Sequence, residues 1–170
     1  MSFHIRTALP DDADAIETVR MATWRVAYAG VMPRSLLDGL EVRPEQVRAR
    51  SEALATGSAS GMVAVRDGLL QGFSLYGPSR DDDIPGMEVY ALYVLPAEFS
   101  TGMGRALMTA TMEEITAAGC PEAGLWVLAE NARARRFYER YGFTPSGRTV
   151  RRGDPPLDEV HYRLPLAGSR

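Results

Sequence analysis

Between Met87 and Ala118 the apolar spacing of the chain changes from alternation to a three- and four-residue rhythm, and two glycines, Gly102 and Gly104, stand at the change. The stretch from Met87 to Leu95, rich in valine and tyrosine, reads as a strand. Met103, Ala106, Leu107, Ala110 and Ile115 then share one side of a helix that Gly119 caps. A helix entered through such a turn starts with unpaired backbone N–H groups at the positive end of its dipole. Glycine there lets a ligand come close to the backbone, and pyrophosphate is the natural guest. Taken alone, Gly-x-Gly also fits a strand–helix turn that is merely tight. A dinucleotide site of the Rossmann type wants its glycines directly after the first strand and a third glycine later. Here a proline and several residues intervene, the strand lies mid-chain, and position 107 is leucine.

The segments around this junction exclude a doubly wound sheet, in which strand and helix would alternate throughout. Phe3 to Ala8 alternates and reads as a first strand, and Pro10-Asp11-Asp12 opens a helix that runs to about Tyr28. A short helix is expected near 35–40, and another from Pro44 until the glycines at 57 and 61. Met62 to Val65 and Leu70 to Tyr76 flank Asp67-Gly68, a strong hairpin signal. A polar loop holding Asp81-Asp82-Asp83 leads to the strand at Met87. Leu125 to Leu128 is a short strand, and Asn131 caps a helix whose stripe is Ala134, Phe137, Tyr138 and Tyr141. Two strands, 146–152 and 159–166, close the chain as an antiparallel pair. The expected fold is α/β (α+β): one domain over 1–170, with a central, mixed, mostly antiparallel sheet of about seven strands flanked by helices.

Composition narrows the chemistry. All 19 basic residues are arginine, so there is no Schiff-base lysine, no P-loop lysine and no lysine base. Against 22 acidic residues they leave a net charge of −3, which disfavours a nucleic-acid partner. One cysteine, Cys120, admits no intrachain disulfide and no cysteine metal cluster; it fits a reducing compartment and reads as a small buried residue. His4 and His161 stand near opposite ends, and no metal site is expected. No long apolar run marks a signal peptide or membrane span, so a cytoplasmic protein without a membrane partner is expected.

Tyr93-Val94-Leu95-Pro96 followed by Gly102-Met103-Gly104-Arg105-Ala106-Leu107 resembles the acetyl-CoA loop of the GNAT family of N-acetyltransferases. The run from Leu125 through Asn131, Phe137 and Tyr138 to Tyr141-Gly142-Phe143 is similar to that family's second signature. The two stand in the family's order and spacing. The likeness covers the whole chain as an element order and is specific from Met87 to Phe143. Two positions depart from the family's loop: Phe99 stands where glutamine or arginine is usual, and Ser100 where many members have glycine.

The resemblance implies acetyl-CoA as co-substrate and direct attack by an amine acceptor, either a small molecule or a peptide N-terminus. It implies that Leu92, Tyr93 and Val94 lie against pantetheine and offer backbone N–H groups to the oxyanion, freed by a bulge that splays this strand from Leu125–Leu128. It implies that Phe99, Ser100, Thr101, Gly102, Met103, Gly104 and Arg105 hold the pyrophosphate and that Asn131 contacts the cofactor. Such a transfer needs an acceptor proton removed and the departing sulfur protonated. Tyr138 holds the family's place for the acid, also touches the cofactor, and reads otherwise as a core tyrosine. Glu88, which shares a strand face with Tyr90, holds the place of the general base; the plainer alternative is a strand-edge carboxylate in solvent.

Arg105, Arg133 and Arg135 are candidates for the cofactor's 3′-phosphate, against solvated helix faces as the alternative. Arg148, Arg151 and Arg152 read as a solvated strand face. In the resembled family the first two helices and the last strand pair line the acceptor pocket, which points to Trp24, Arg25, Tyr28, the turn to Pro33 and the segment 149–162; Tyr90 is a further candidate for the acceptor. The Asp81-Asp82-Asp83 run either attracts a cationic acceptor such as a polyamine or is a solvated loop. A homodimer is compatible with the sequence. The alternative to an enzyme is a regulatory module that binds acyl-CoA with little or no turnover.

Overall fold

The structure is a computed structural model that describes residues 2–166. Seven strands form one mixed sheet in the order β1-β2-β3-β4-β5-β7-β6. The strands are β1 (His4–Thr7), β2 (Ser60–Arg66), β3 (Leu69–Pro78), β4 (Met87–Val94), β5 (Glu122–Leu128), β6 (Thr144–Arg152) and β7 (Leu157–Pro165). The helices are α1 (Ala13–Ala27), α2 (Arg34–Asp38), α3 (Pro44–Thr56), α4 (Met103–Ala117) and α5 (Ala132–Tyr141). Every element expected from the sequence is present, with ends shifted by a few residues; β5 begins at Glu122 rather than Leu125. The chain divides into two compact units, and β4 contributes residues 91–94 to the first and residues 87–90 to the second.

The first unit comprises Met1–Gly77 and Ala91–Thr111. Asp67 and Gly68 both take positive φ, 53° and 77°, which joins β2 and β3 by the tight turn their sequence demands. β2 pairs antiparallel with β1 and β3 and is buried along both faces, so its apolar run is continuous rather than alternating. Glu17 of α1 is 1% exposed, and Arg20 and Arg50 reach it at 3.0 and 3.1 Å, which ties α3 to α1. Ser74 of β3 meets Thr111 of α4 at 2.6 Å. Arg66 of β2 holds the buried Glu98 at 3.0 Å, just before the turn into α4.

The second unit comprises Pro78–Tyr90 and Met112–Arg170. β4 runs parallel to β5 over Met87↔Ala123, Glu88↔Gly124 and Val89↔Leu125. β5 and β6 flank β7 in antiparallel pairs. The core of this unit includes Val89, Leu125, Phe143 and Tyr162. Among the described residues no helix is long and apolar enough to cross a membrane.

Gly72 on β3 packs closely against β4 and α4. A Cβ there would sit 2.7 Å from Val94, 3.0 Å from the Tyr93 carbonyl and 3.1 Å from Leu107. Gly72→Val should therefore lower the unfolding free energy by roughly 1–3 kcal/mol through overpacking. Urea unfolding measures this, and an unchanged midpoint would show that the strand and helix yield without strain.

Candidate functional site

The first unit carries the candidate phosphate loop. β4 ends at Val94, a 3-10 turn covers Pro96–Glu98, and α4 starts at Met103. Ser100 and Gly102 both have positive φ, 64° and 90°. Serine in that region is uncommon and strained by about 1–3 kcal/mol. The loop's path thus asks for glycine at the position where the resembled family often has one. The Ala106 amide donates to the Gly102 carbonyl at 3.0 Å, which makes Gly102 the cap of α4. Met103 and Gly104 then open the first turn of the helix, at the positive end of its dipole. The amides of Phe99 and Thr101 donate instead to the carbonyls of Pro96 and Glu98, at 3.2 and 3.3 Å. Those two amides are committed inside the loop.

In the same unit Trp24 donates its indole N–H to the Tyr93 hydroxyl at 3.1 Å. Trp24 also stacks on Tyr28 with ring centroids 4.6 Å apart, and the Arg20 guanidinium lies 4.9 Å from the Trp24 ring. Positions 20, 24 and 28 are successive turns of one helix face, so the row is a built stack. Tyr93 meets Phe73 edge-on at 5.6 Å, and Leu92, Tyr93 and Val94 are all half-buried. The acceptor-side pair Trp24 and Tyr28 and the strand residue Tyr93 are thus brought together.

The second unit carries the candidate acid and base. Tyr138 is buried at 9% exposure, edge-on to Phe137 at 5.4 Å and Phe143 at 6.0 Å. The helix that bears it is gripped from one side. Arg135 donates to the Tyr162 hydroxyl at 3.0 Å, and that hydroxyl donates to Glu139 at 2.7 Å. Burial raises the Tyr162 hydroxyl above the ordinary tyrosine range, so it stays a donor. Arg135 also donates to the Ala129 carbonyl at 3.0 Å, so it braces α5 rather than standing as a solvated helix face. Asn131 accepts from the Ala134 amide at 3.1 Å with its side-chain oxygen and caps α5.

Glu88 is 3% exposed rather than a strand-edge carboxylate in water. Arg80 covers it with its Nη2 at 2.6 Å from Oε1, its Nε at 3.3 Å from both oxygens, and its own backbone N–H at 3.0 Å from Oε2. The Arg80 guanidinium also lies 4.6 Å from the Tyr90 ring, and the Tyr90 hydroxyl donates to the Pro78 carbonyl. Glu88 and Tyr90 are therefore joined through an arginine that the sequence reading passed over. A signal existed: the loop between β3 and β4 folds back, so a residue near its start faces one near the start of β4.

The acidic loop and the closing strands also differ from expectation. Asp81 accepts from the Trp126 indole at 2.7 Å and from Arg152 at 2.9 Å, and Asp83 pairs with Arg148. Asp81 and Asp83 are thus answered by cations, and Arg148 and Arg152 are not a merely solvated face. Cys120 is half-buried rather than fully enclosed. Glu159 on β7 was not singled out. Burial raises its carboxyl above the ordinary range, against the pull of Arg152 and Arg80.

His161 lies buried beside the Trp126 ring, 4.9 Å between centroids, with Nδ1 2.8 Å from the Ser146 hydroxyl. A Cβ at Gly124 would be 2.7 Å from its Nε2, so only glycine fits opposite. Burial, and secondarily Arg148, pulls its pKa below the ordinary 6.5. Below pH 6.5 the unfolded chain takes up a proton at this residue that the folded chain refuses, so stability falls as pH drops. His161→Asn should lose less stability than the parent between pH 7 and pH 5 in urea titrations. Equal losses would assign the acid sensitivity elsewhere.

Residues 24–143 match the sequence profile of the Acetyltransferase (GNAT) family. The chain belongs to that family and is an acyltransferase by membership. An uncharacterized N-acetyltransferase of Bacillus subtilis is 28% identical over 141 residues, which cover 81% of this chain and 78% of the relative. Among solved structures, the PaiA N-acetyltransferase of Thermoplasma acidophilum in complex with coenzyme A superposes with a TM-score of 0.81 at 19% identity, covering 98% of this chain and 100% of the other. The yncA structure of Salmonella typhimurium with its cofactor acetyl-CoA gives 0.75 at 22% identity, with 99% and 96% covered. These likenesses are of fold.

Proposed function

We propose that this chain transfers the acetyl group of acetyl-CoA to a primary amine by direct attack. The observation that carries the reading is the entry to α4. In a member of this family, the left-handed residues Ser100 and Gly102 lead into the start of α4, whose first turn at Met103 and Gly104 is the positive end of the helix dipole. That is an anion cradle, and pyrophosphate fits its chemistry. The coenzyme A and acetyl-CoA complexes of the similar structures support the same ligand. The cofactor supplies the thioester and a thiolate leaving group. Amides of Leu92, Tyr93 and Val94 serve the oxyanion, and the Asn131 amide group meets the cofactor.

Tyr138 protonates the departing sulfur. Its placement on a braced helix, in an aromatic setting, suits a phenol that donates without changing charge beforehand. Tyr138→Phe keeps the ring and deletes the donor. Its kcat should fall about tenfold to a thousandfold, near or below the usual effect of one proton-transfer group, with coenzyme A affinity little changed. Thiol release from acetyl-CoA measures the first and calorimetry the second. A preserved kcat would make Tyr138 a core residue. Coenzyme A binding without thiol release for any amine would instead favour the acyl-CoA-binding module.

Glu88 takes the acceptor's proton. Its oxygens already accept from Arg80, so it works through its remaining lone pairs, directly or by one water. An amine is mostly protonated at neutral pH. Glu88→Gln should therefore depress kcat/KM at pH 7 and recover in part at pH 9, where free amine is abundant. A pH–rate profile identical to the parent's would remove Glu88 from proton transfer.

A further inference from the structure

We infer that Arg80 is a specificity-determining residue that anchors a carboxylate on the acceptor, so that the preferred substrates are amino acids or similar amino-carboxylates. The inference rests on the N-acetyltransferase reading above and names the class of amine. A guanidinium has two bidentate edges. In Arg80 one edge, Nε and Nη2, is occupied by Glu88. The other edge, Nη1 with the second hydrogen of Nη2, makes no hydrogen bond among the described residues, and the side chain is 56% exposed. Three fixtures hold that edge in place: the buried carboxylate, the backbone amide of Arg80 on the same carboxylate, and the Tyr90 ring at 4.6 Å. A long side chain normally loses rotamer freedom when it captures a ligand, and here that loss is already incurred.

The surrounding charge selects among amines. Glu159 lies within electrostatic reach of Asp81, Glu88 and Arg80, and Arg80 within reach of Asp81 and Glu88. A zwitterion brings one carboxylate to Arg80 and leaves its ammonium beside Glu88, whereas Asp81 and Glu159 already face Arg152, at 2.9 and 4.0 Å. A polyamine gains little, because Asp81 and Asp83 already hold Arg152 and Arg148. The anchor lies on the residue that covers Glu88, so a bound carboxylate also sets the distance between the attached amine and that group.

The experiment compares L-alanine, L-leucine, L-phenylalanine and L-glutamine with their α-carboxamides, read as thiol release from acetyl-CoA. The amides hold the more easily deprotonated amine, so a preference for the acids runs against intrinsic reactivity. The parent enzyme should show a higher kcat/KM for the acids. Arg80→Gln should lower the acid-to-amide ratio about ten- to hundredfold, the worth of one charge-assisted bidentate contact. Arg80→Lys, which keeps the charge and loses the fork, should restore only part of it. A parent that prefers amides, or a ratio untouched in Arg80→Gln, overturns the inference while leaving acetyl transfer standing. Thiol release for no acceptor defeats the N-acetyltransferase reading. The anchor is then read by calorimetry of the same amino acids with coenzyme A present: heat that is lost in Arg80→Gln supports it, and no heat, or equal heat in both proteins, overturns it.

Discussion

A carboxylate removed from water must find a cation, because an unpaired buried charge costs several kcal/mol. This fold buries three glutamates, Glu17, Glu88 and Glu98, and answers each with arginine. The three pairs do different work. Glu17 gathers two arginines and fastens α3 to α1. Glu98 and Arg66 fasten the run-up to the phosphate loop onto β2. Glu88 and Arg80 fasten the loop after β3 onto β4, beside the family's place for the general base. Removing either partner of such a pair is far more damaging than replacing both, since the survivor stays buried alone.

Precision at the two ends of the proposed chemistry has separate sources. At the phosphate loop it comes from backbone: two left-handed residues, Ser100 and Gly102, turn the chain into the start of α4. At Tyr138 it comes from side chains one turn apart on α5, since Arg135 and Glu139 share the same Tyr162 hydroxyl. The hydroxyl accepts from one and donates to the other, so it fixes the rotation of the helix about its own axis. The adjacent position 138 inherits that rotation.

Much of this was legible in the sequence because it depends on local rules. The strand–turn–helix junction, the Asp67-Gly68 hairpin, the Asn131 cap and the aromatic stripe of α5 follow from spacing, turn chemistry and capping. The missed features depend on contacts between segments far apart in the chain. Nothing local tells that Arg135 turns to Tyr162, or that Asp81 meets both Trp126 and Arg152. A charge run is read as solvated when its partners lie 45 to 71 residues away. Arg80 was passed over for a related reason: an exposed arginine in a polar loop looks ordinary until the buried carboxylate beneath it is known.

The guanidinium pairs have a chemical consequence for a protein that handles a thioester. An ammonium side chain loses its proton to become a nucleophile, and one placed beside a reactive acyl donor would compete with the intended acceptor. A guanidinium keeps its proton throughout the working pH range and attacks nothing. With every clamp built from arginine and no ε-amino group anywhere in the sequence, the chain's side chains give acetyl-CoA no amine to modify. The braces that hold the fold are inert toward the group it carries.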